Sequence, residues 1–382
     1  MDGGRKMKIG YISPKDPFKD KKEWSGTFYG LCQALQLNGY QVEWIPYKNN
    51  KLVNKFLAKS YRLFWGKGSY IHSRMMSLYH TGSIKRNLSE FDLIFVPAQV
   101  DIVAGLKTDT PIIYYTDGTV PLMINYYWFD FSNKAIKEAR KIEKRALTNA
   151  SINIFSSHWA ANSAIKDYKI DSAKVKVLPF GSNIDDSLVN YKTRKYDLKK
   201  QKLNILFSGV NWKRKGGDIA VSTIEELNNR GIEATLYICG IKDESLPAKL
   251  RNLDYIKNVG FLNKNKKPDL KKYLEIWEKT DIFILPTRAE CSAIVLNEAN
   301  AYGVPILTTD TGGLSDYVIN DKNGIRMSLN AKGIDYANVI ESWIKNNDLE
   351  RLSIGARDLY ITTNSWKAWG ENFNLLLESM KN

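Results

Sequence analysis

Short apolar runs alternate along the whole chain with longer segments whose hydrophobic residues return every three or four positions. That alternation predicts strands joined by crossover helices, and hence parallel sheets. Lys8-Ile9-Gly10-Tyr11-Ile12-Ser13 reads as the first strand, residues 26–38 as a helix stopped by Gly39, and residues 41–46 as the next strand, together a βαβ unit. Further strands are expected at 92–97, 111–116, 152–156 and 175–179. A polar, Lys-rich stretch near 190–202 interrupts the pattern, which resumes at 203–208, 234–239, 255–259, 281–285 and 305–308. Near the end, Trp366, Trp369, Phe373, Leu376 and Leu377 recur at helical spacing behind Ser365, a residue suited to an N-cap. The expected organisation is a Rossmann-like domain at 1–190, a linker at 191–202, a second Rossmann-like domain at 203–364 and a closing helix at 365–382. Two doubly wound α/β domains facing one another would gather the carboxyl ends of both sheets around one cleft, where the chemistry is expected.

Composition narrows the class. In 382 residues, 43% hydrophobic and 25% charged content excludes disorder, collagen and coiled coil as whole-chain readings. Lys and Arg total 56 against 41 Asp and Glu, a formal +15 that points to an anionic partner. A phosphate-bearing substrate, an acidic membrane surface and nucleic acid all qualify, and charge alone does not choose. Cys32, Cys239 and Cys291 are far apart and unpatterned, against a disulfide framework and consistent with a reducing cytosol. His72, His80 and His158 show no ligand spacing either, so no metal site is expected. Nothing reaches 18 consecutive apolar residues, and the N-terminus lacks a signal-peptide run. The expectation is a cytoplasmic protein, free or resting on the cytoplasmic face of the membrane.

Three segments carry candidate chemistry. Trp24-Ser25-Gly26-Thr27 follows the first strand, where small residues let backbone N–H groups approach a phosphate or sugar; a tight packing turn is the alternative. No complete G-x-G-x-x-G is present, so a dinucleotide fingerprint fails. In the segment Ser208-Gly209-Val210-Asn211-Trp212-Lys213-Arg214-Lys215-Gly216-Gly217, three cations lie between glycine-rich turns at a strand end and can neutralise a diphosphate; a solvated basic loop is the alternative. In the third, a strand ends at Leu285, Glu290 follows in the loop, and a helix is expected near Ser292 with Glu298 two turns in. A carboxylate accepts from two vicinal hydroxyls at once, so Glu298 suits a ribose diol and Glu290 sugar hydroxyls. For Glu298 the alternative is a capping or salt-bridged helix residue.

The E-x7-E spacing of Glu290 and Glu298, the run Ala301-Tyr302-Gly303-Val304-Pro305, Thr311-Gly312-Gly313 and the Lys215-Gly216 turn resemble bacterial-type retaining glycosyltransferases of family 4. Val177-Leu178-Pro179-Phe180-Gly181-Ser182-Asn183-Ile184 is similar to that family's stretch before the linker, so the resemblance spans most of the chain. It implies a GT-B fold, with the closing helix packed back on an acceptor-side N-terminal domain and a nucleotide-sugar donor site in the C-terminal one. It also implies transfer of a hexose-type sugar, with retention, to a hydroxyl acceptor such as a lipid-linked or cell-surface glycan precursor. A UDP- or GDP-sugar is the implied co-substrate, with neither cofactor nor metal. By resemblance, Arg214 and Lys215 hold the diphosphate, Glu298 the ribose and Glu290 the transferred sugar. Ser292, Ala293 and Ile294 offer backbone N–H groups, and Gly26, Gly209, Gly312 and Gly313 line the donor. The family's Arg after the glycine is Val210 here, so Arg214 is expected to substitute. Its His-Asp pair is Thr116-Asp117, leaving Asp117 to position the acceptor, or to serve only an Asx turn. Loops at 261–267 and 309–313 would select base and sugar.

Residues 47–89 contain nine Lys or Arg and no Asp or Glu, interleaved with aromatics. Such a segment can rest on anionic headgroups, which favours a lipid-linked acceptor; a solvated face whose aromatics join the core is the alternative. Two rival readings remain: another GT-B enzyme such as a nucleotide-sugar epimerase, and a basic nucleic-acid-binding protein, which would leave Glu290 and Glu298 unexplained. No nucleic-acid partner is expected.

Overall fold

The computed structural model describes residues 6–191 and 202–379, so all but the ends of the expected 191–202 linker lies outside the described residues. The chain forms two compact units, Met1–Pro179 with Trp369–Asn382, and Phe180–Ala368. Residues 180–190, which sequence polarity assigns to the first domain, belong with the second by contact. Tyr317 in the second unit accepts the Phe180 N–H at 3.1 Å, Asn297 donates to the Phe180 carbonyl at 2.6 Å, and the Tyr360 hydroxyl donates to Asp186.

The first unit holds six parallel strands, β1 (Lys8–Ile12), β2 (Gln41–Ile45), β3 (Leu93–Pro97), β4 (Ile112–Thr116), β5 (Ile152–Phe155) and β6 (Val175–Val177), in the order β2-β1-β3-β4-β5-β6. The second holds β7 (Leu203–Ser208), β8 (Ala234–Cys239), β9 (Ile256–Gly260), β10 (Ile282–Leu285), β11 (Ile306–Thr309) and β12 (Gly324–Met327), also parallel. Their order is β12-β11-β10-β7-β8-β9. Strands β3, β4, β5 and β10 are buried throughout, as expected of strands covered on both faces by crossover helices. In each sheet the winding reverses once, between β1 and β3 in the first and between β7 and β10 in the second. There adjacent loops at the carboxyl ends lead off to opposite faces of the sheet, which is the usual place for a ligand in an open α/β sheet.

Every strand expected from the sequence is present. The additional one, β12, is an edge strand of four residues whose polar Arg326 breaks the apolar run; a Cβ on Gly324 would fall 1.9 Å from the Ile306 carbonyl, so the pairing demands glycine. The closing helix, Trp366–Ser379, is capped by the Ser365 hydroxyl, which accepts the Ala368 N–H at 3.1 Å. Its Trp369 and Phe373 stack with centroids 5.0 Å apart and meet Phe95 of β3 edge-on at 6.0 and 5.9 Å, while Asn374 accepts from the Tyr40 hydroxyl at 2.5 Å.

Phe373 is fully buried, whereas Leu375 on the same helix is exposed. Phe373→Ala is expected to cost about 3–5 kcal/mol in urea unfolding, from lost transfer energy and the cavity left behind, and Leu375→Ala under about 0.5 kcal/mol.

Candidate active site

The loops after β7 and β10 flank the reversal point of the second sheet. After β7, the Gly209 N–H donates to the Cys239 carbonyl at 2.9 Å, and the chain enters a single helical turn, Trp212–Lys215. Asn211 caps that turn, its side chain accepting the Arg214 N–H at 2.9 Å. A Cβ at Gly209 would lie 2.9 Å from Lys215 Cγ, so the missing side chain lets the lysine stem lie flat on the backbone. Gly216 has φ +77°, and a Cβ there would fall 1.9 Å from the Pro286 carbonyl oxygen at the end of β10. Only glycine permits this approach, which locks the basic turn against the loop that carries Glu290. The Arg288 N–H donates to the Arg214 carbonyl at 2.8 Å, and its guanidinium pairs with Asp218 at 2.7 and 3.0 Å.

Glu290 is 7% exposed; its Oε2 accepts from Lys215 Nζ and from Arg214 Nη1 at 3.2 Å. Arg214 Nη1 also donates to the Ala289 carbonyl at 2.8 Å. Burial pushes the Glu290 carboxyl up, but the charges of Lys215 and Arg214 and their hydrogen bonds outweigh it and hold the group below its ordinary value. Two cations on one carboxylate leave a net positive charge in a largely buried place.

Glu298 occupies the buried face of the helix Ile294–Ala301. It accepts from Lys264 Nζ at 2.7 Å and from the Tyr273 hydroxyl, whose ionisation is pushed well up by burial and by the Glu298 charge. Neither partner is singled out by the sequence: Lys264 is one of three lysines in the 261–267 loop expected to select base and sugar, and Tyr273 looks like a core residue of the helix Lys267–Lys279. The expected helix start near Ser292 is found at Ile294, with Ala293 as its N-cap. Gly312, at φ +58°, brings the Gly313 N–H to the Cys291 carbonyl at 3.1 Å, tying the loop after β11 to the Glu290 loop. Gly209, Arg214, Lys215, Glu290, Ser292, Ala293, Ile294, Glu298, Gly312 and Gly313 thus all belong to the carboxyl edge of the second sheet and the helix leading from it.

Gly26 and Asp117 belong to the first unit. Gly26 (φ 93°) follows two non-glycine residues that are also left-handed, Trp24 (φ 48°) and Ser25 (φ 57°). The Trp24 ring packs on Phe28 at 5.4 Å and on Tyr115 of β4 at 6.2 Å, two residues before the half-buried Asp117. The loops after β1 and β4 therefore share the carboxyl edge of the first sheet.

Residues 191–358 match the family model described as glycosyl transferases group 1, and residues 27–186 match that of Glycosyltransferase Family 4. The chain belongs to this glycosyltransferase family. The chain is 23% identical over 282 residues to a D-inositol 3-phosphate glycosyltransferase of Corynebacterium jeikeium, a match covering 70% of this chain and 66% of the relative. The chain spans less than two thirds of the length of the curated relatives it matches. Among solved structures, the sucrose-phosphate synthase of Thermosynechococcus elongatus superposes with a TM-score of 0.65 at 16% identity, over 98% of this chain and 99% of that one. Anabaena Alr3699/HepE, solved in complex with UDP and glucose, gives 0.61 at 17%, over 98% and 100%. These likenesses establish the two-domain α/β GT-B fold.

A folded-state value below the ordinary 4.5 means that Glu290 contributes stability above that pH, and that the contribution is lost as pH falls through the folded value. Glu290→Gln leaves Lys215 buried beside a neutral partner, and should lower stability at pH 7 by about 3 kcal/mol, with the gap to wild type closing in acid. Thermal unfolding between pH 3 and 8 measures both.

Proposed function

We propose that this glycosyltransferase moves a hexose-type sugar, with retention, from a UDP- or GDP-sugar to a hydroxyl acceptor. The observation that carries the reading is the net positive cluster of Lys215 and Arg214 on Glu290, locked by Gly216 at the reversal point of the second sheet. Negative charge builds on the departing nucleoside diphosphate in the transition state, so cations already in place there lower the barrier rather than merely tighten binding. The N-terminus of the helix Ile294–Ala301 adds a partial positive charge. In this reading the bond from the anomeric carbon to the diphosphate oxygen breaks, the acceptor oxygen bonds to that carbon on the same face, and the leaving phosphate oxygen takes the acceptor proton. Asp117 orients the acceptor hydroxyl, and no metal is needed to balance charge. A carboxylate has about four lone-pair positions, so Glu298 can keep Lys264 and Tyr273 and still accept from a ribose diol. The likeness to a protein solved with UDP and glucose supports the donor class.

A thermal-shift series over UDP, GDP and ADP and their sugars should give stabilisation by one nucleotide. Lys215→Ala should cut turnover of the active donor by about two orders of magnitude or more; near-normal turnover removes the lysine from the chemistry.

A lipid-linked acceptor is favoured by the helix Lys51–Trp65. It exposes Leu52 (76%), Phe56 (69%) and Leu63 (81%), which at 100° per residue fall within about 40° of one another. Lys51, Lys55, Lys59 and Arg62 flank them, while Tyr61 on the opposite side is buried. Some aromatics of the basic segment do join the core, Tyr47 and Tyr61 among them, but Phe56 and Phe64 do not. Apolar side chains beside cations suit an anionic bilayer interface, which would make the enzyme peripheral on the cytoplasmic membrane face. No helix among the described residues is long and apolar enough to cross a membrane. Flotation with liposomes should show binding that needs anionic lipid and is lost in Phe56→Ser/Leu63→Ser; equal flotation with neutral lipid would remove the role of the cations, and no flotation with anionic lipid would end the membrane reading.

A further inference from the structure

Glu143 takes no part in the chemistry above. It lies on the helix Asn133–Asn149, is 3% exposed, and its Oε2 accepts the backbone N–H of Val120 at 2.7 Å. Val120 opens the short helix Val120–Met123, which begins immediately after Asp117-Gly118-Thr119. The first N–H groups of a helix have no partner within it, and Thr119, the N-cap, supplies none from its side chain. The Thr119 hydroxyl is instead hydrogen-bonded with Ser163 at 2.6 Å, and Ser163 donates to Asp167 at 2.6 Å. Two crossover helices, Asn133–Asn149 and His158–Tyr168, therefore grip the two residues that follow Gly118, while β4 holds the other end of the turn. Asp117 sits between these anchors.

We propose that Glu143 is a positioning residue for the acceptor: by holding the Val120 N–H it sets the placement of the Asp117 turn, and so acceptor use, without touching donor binding. The proposal rests on the reading of Asp117 as the group that orients the acceptor hydroxyl.

The energetics fit such a role. Burial pushes the Glu143 carboxyl up to about 7, against the nearby Tyr168 hydroxyl, the hydrogen bond from the Val120 N–H and the charge of Arg140, which pull it down. Tyr114 on β4 and Tyr168 also face it, both with ionisation suppressed by burial and then by the Glu143 charge; Asp167 adds to the effect on Tyr168, and Asp117 and Asp101 to that on Tyr114. With a folded value above the ordinary 4.5, stability is fully present below that pH and is lost as pH rises toward about 7. The ionised carboxylate is thus held at a cost to stability, a mark of groups retained for function.

The test uses the full chain and the variant E143Q. In wild type, kcat/KM for the acceptor should fall about tenfold between pH 8 and pH 6, since one unit below its pKa a group is only about a tenth ionised. In E143Q that limb should vanish, with acceptor KM raised, kcat little changed, the nucleotide thermal shift unaltered and stability at pH 8 increased. Hydrogen exchange gives a readout independent of turnover: the wild-type to E143Q protection ratio over 117–123 should change between pH 6 and 8, and elsewhere stay constant. A pH profile identical in the two proteins, or a constant ratio over 117–123, overturns the proposal. Absence of turnover with every nucleotide-sugar in wild type overturns the glycosyl-transfer reading instead, and the exchange ratio then decides whether Glu143 holds the turn.

Discussion

The contact of one buried carboxylate with two cations is the constraint around which the second unit is arranged. Charges leave water at a cost of several kcal/mol each unless paired and hydrogen-bonded, so Glu290 and Lys215 must meet closely or not be buried at all. They lie 75 positions apart in the chain and on loops from neighbouring strands, β10 and β7. The glycines follow from that meeting. Gly216 has to pass within contact of a carbonyl, and Gly209 has to lie under the lysine stem, for the two loops to close. The order of the strands follows as well, since only at the reversal between β7 and β10 do two adjacent loops lead away in opposite directions.

Much of this was legible in the sequence because the signals are strong and local. A buried parallel strand is a continuous apolar run, and Ile282 to Leu285 could hardly be anything else. The motif residues Arg214, Lys215 and Glu290 follow strand ends and Glu298 stands on the helix behind one, so a strand pattern and a familiar spacing together single them out. What stayed hidden is what depends on contacts distant in sequence. The partners of Glu298, Lys264 and Tyr273, resemble surface and core residues. Strand β12 owes its existence to a single glycine that fits beneath a neighbouring carbonyl. The attachment of residues 180–190 to the second unit depends on Tyr317, Asn297 and Tyr360, none of which a polarity pattern can pair with them. Glu143 is the sharpest instance, since an acidic residue in the helix Asn133–Asn149, rich in Lys and Arg, reads as a solvated ion-pair former and is in fact buried on a backbone amide.

The first unit departs from lowest energy in two places at the carboxyl edge of its sheet. Trp24 and Ser25 adopt left-handed backbone that ordinarily favours glycine, and Glu143 keeps a carboxylate in a nonpolar setting. Both departures bear on the loops after β1 and β4, whereas the layers beneath are regular. Exposed apolar side chains on the helix Lys51–Trp65 are a third departure, on the surface.

The arrangement of the two units along the chain has an outcome for biosynthesis. Phe180–Ala368 is an insertion within the other unit, whose sheet is made before it and whose Trp369 and Phe373 are made after it. The interior of the first unit therefore waits on the ribosome for Trp369 and Phe373 to pack on Phe95, while the inserted unit can complete its own core earlier. A chain ending before Trp369 would hold the whole later unit and yet leave Phe95 of β3 without its two aromatic partners.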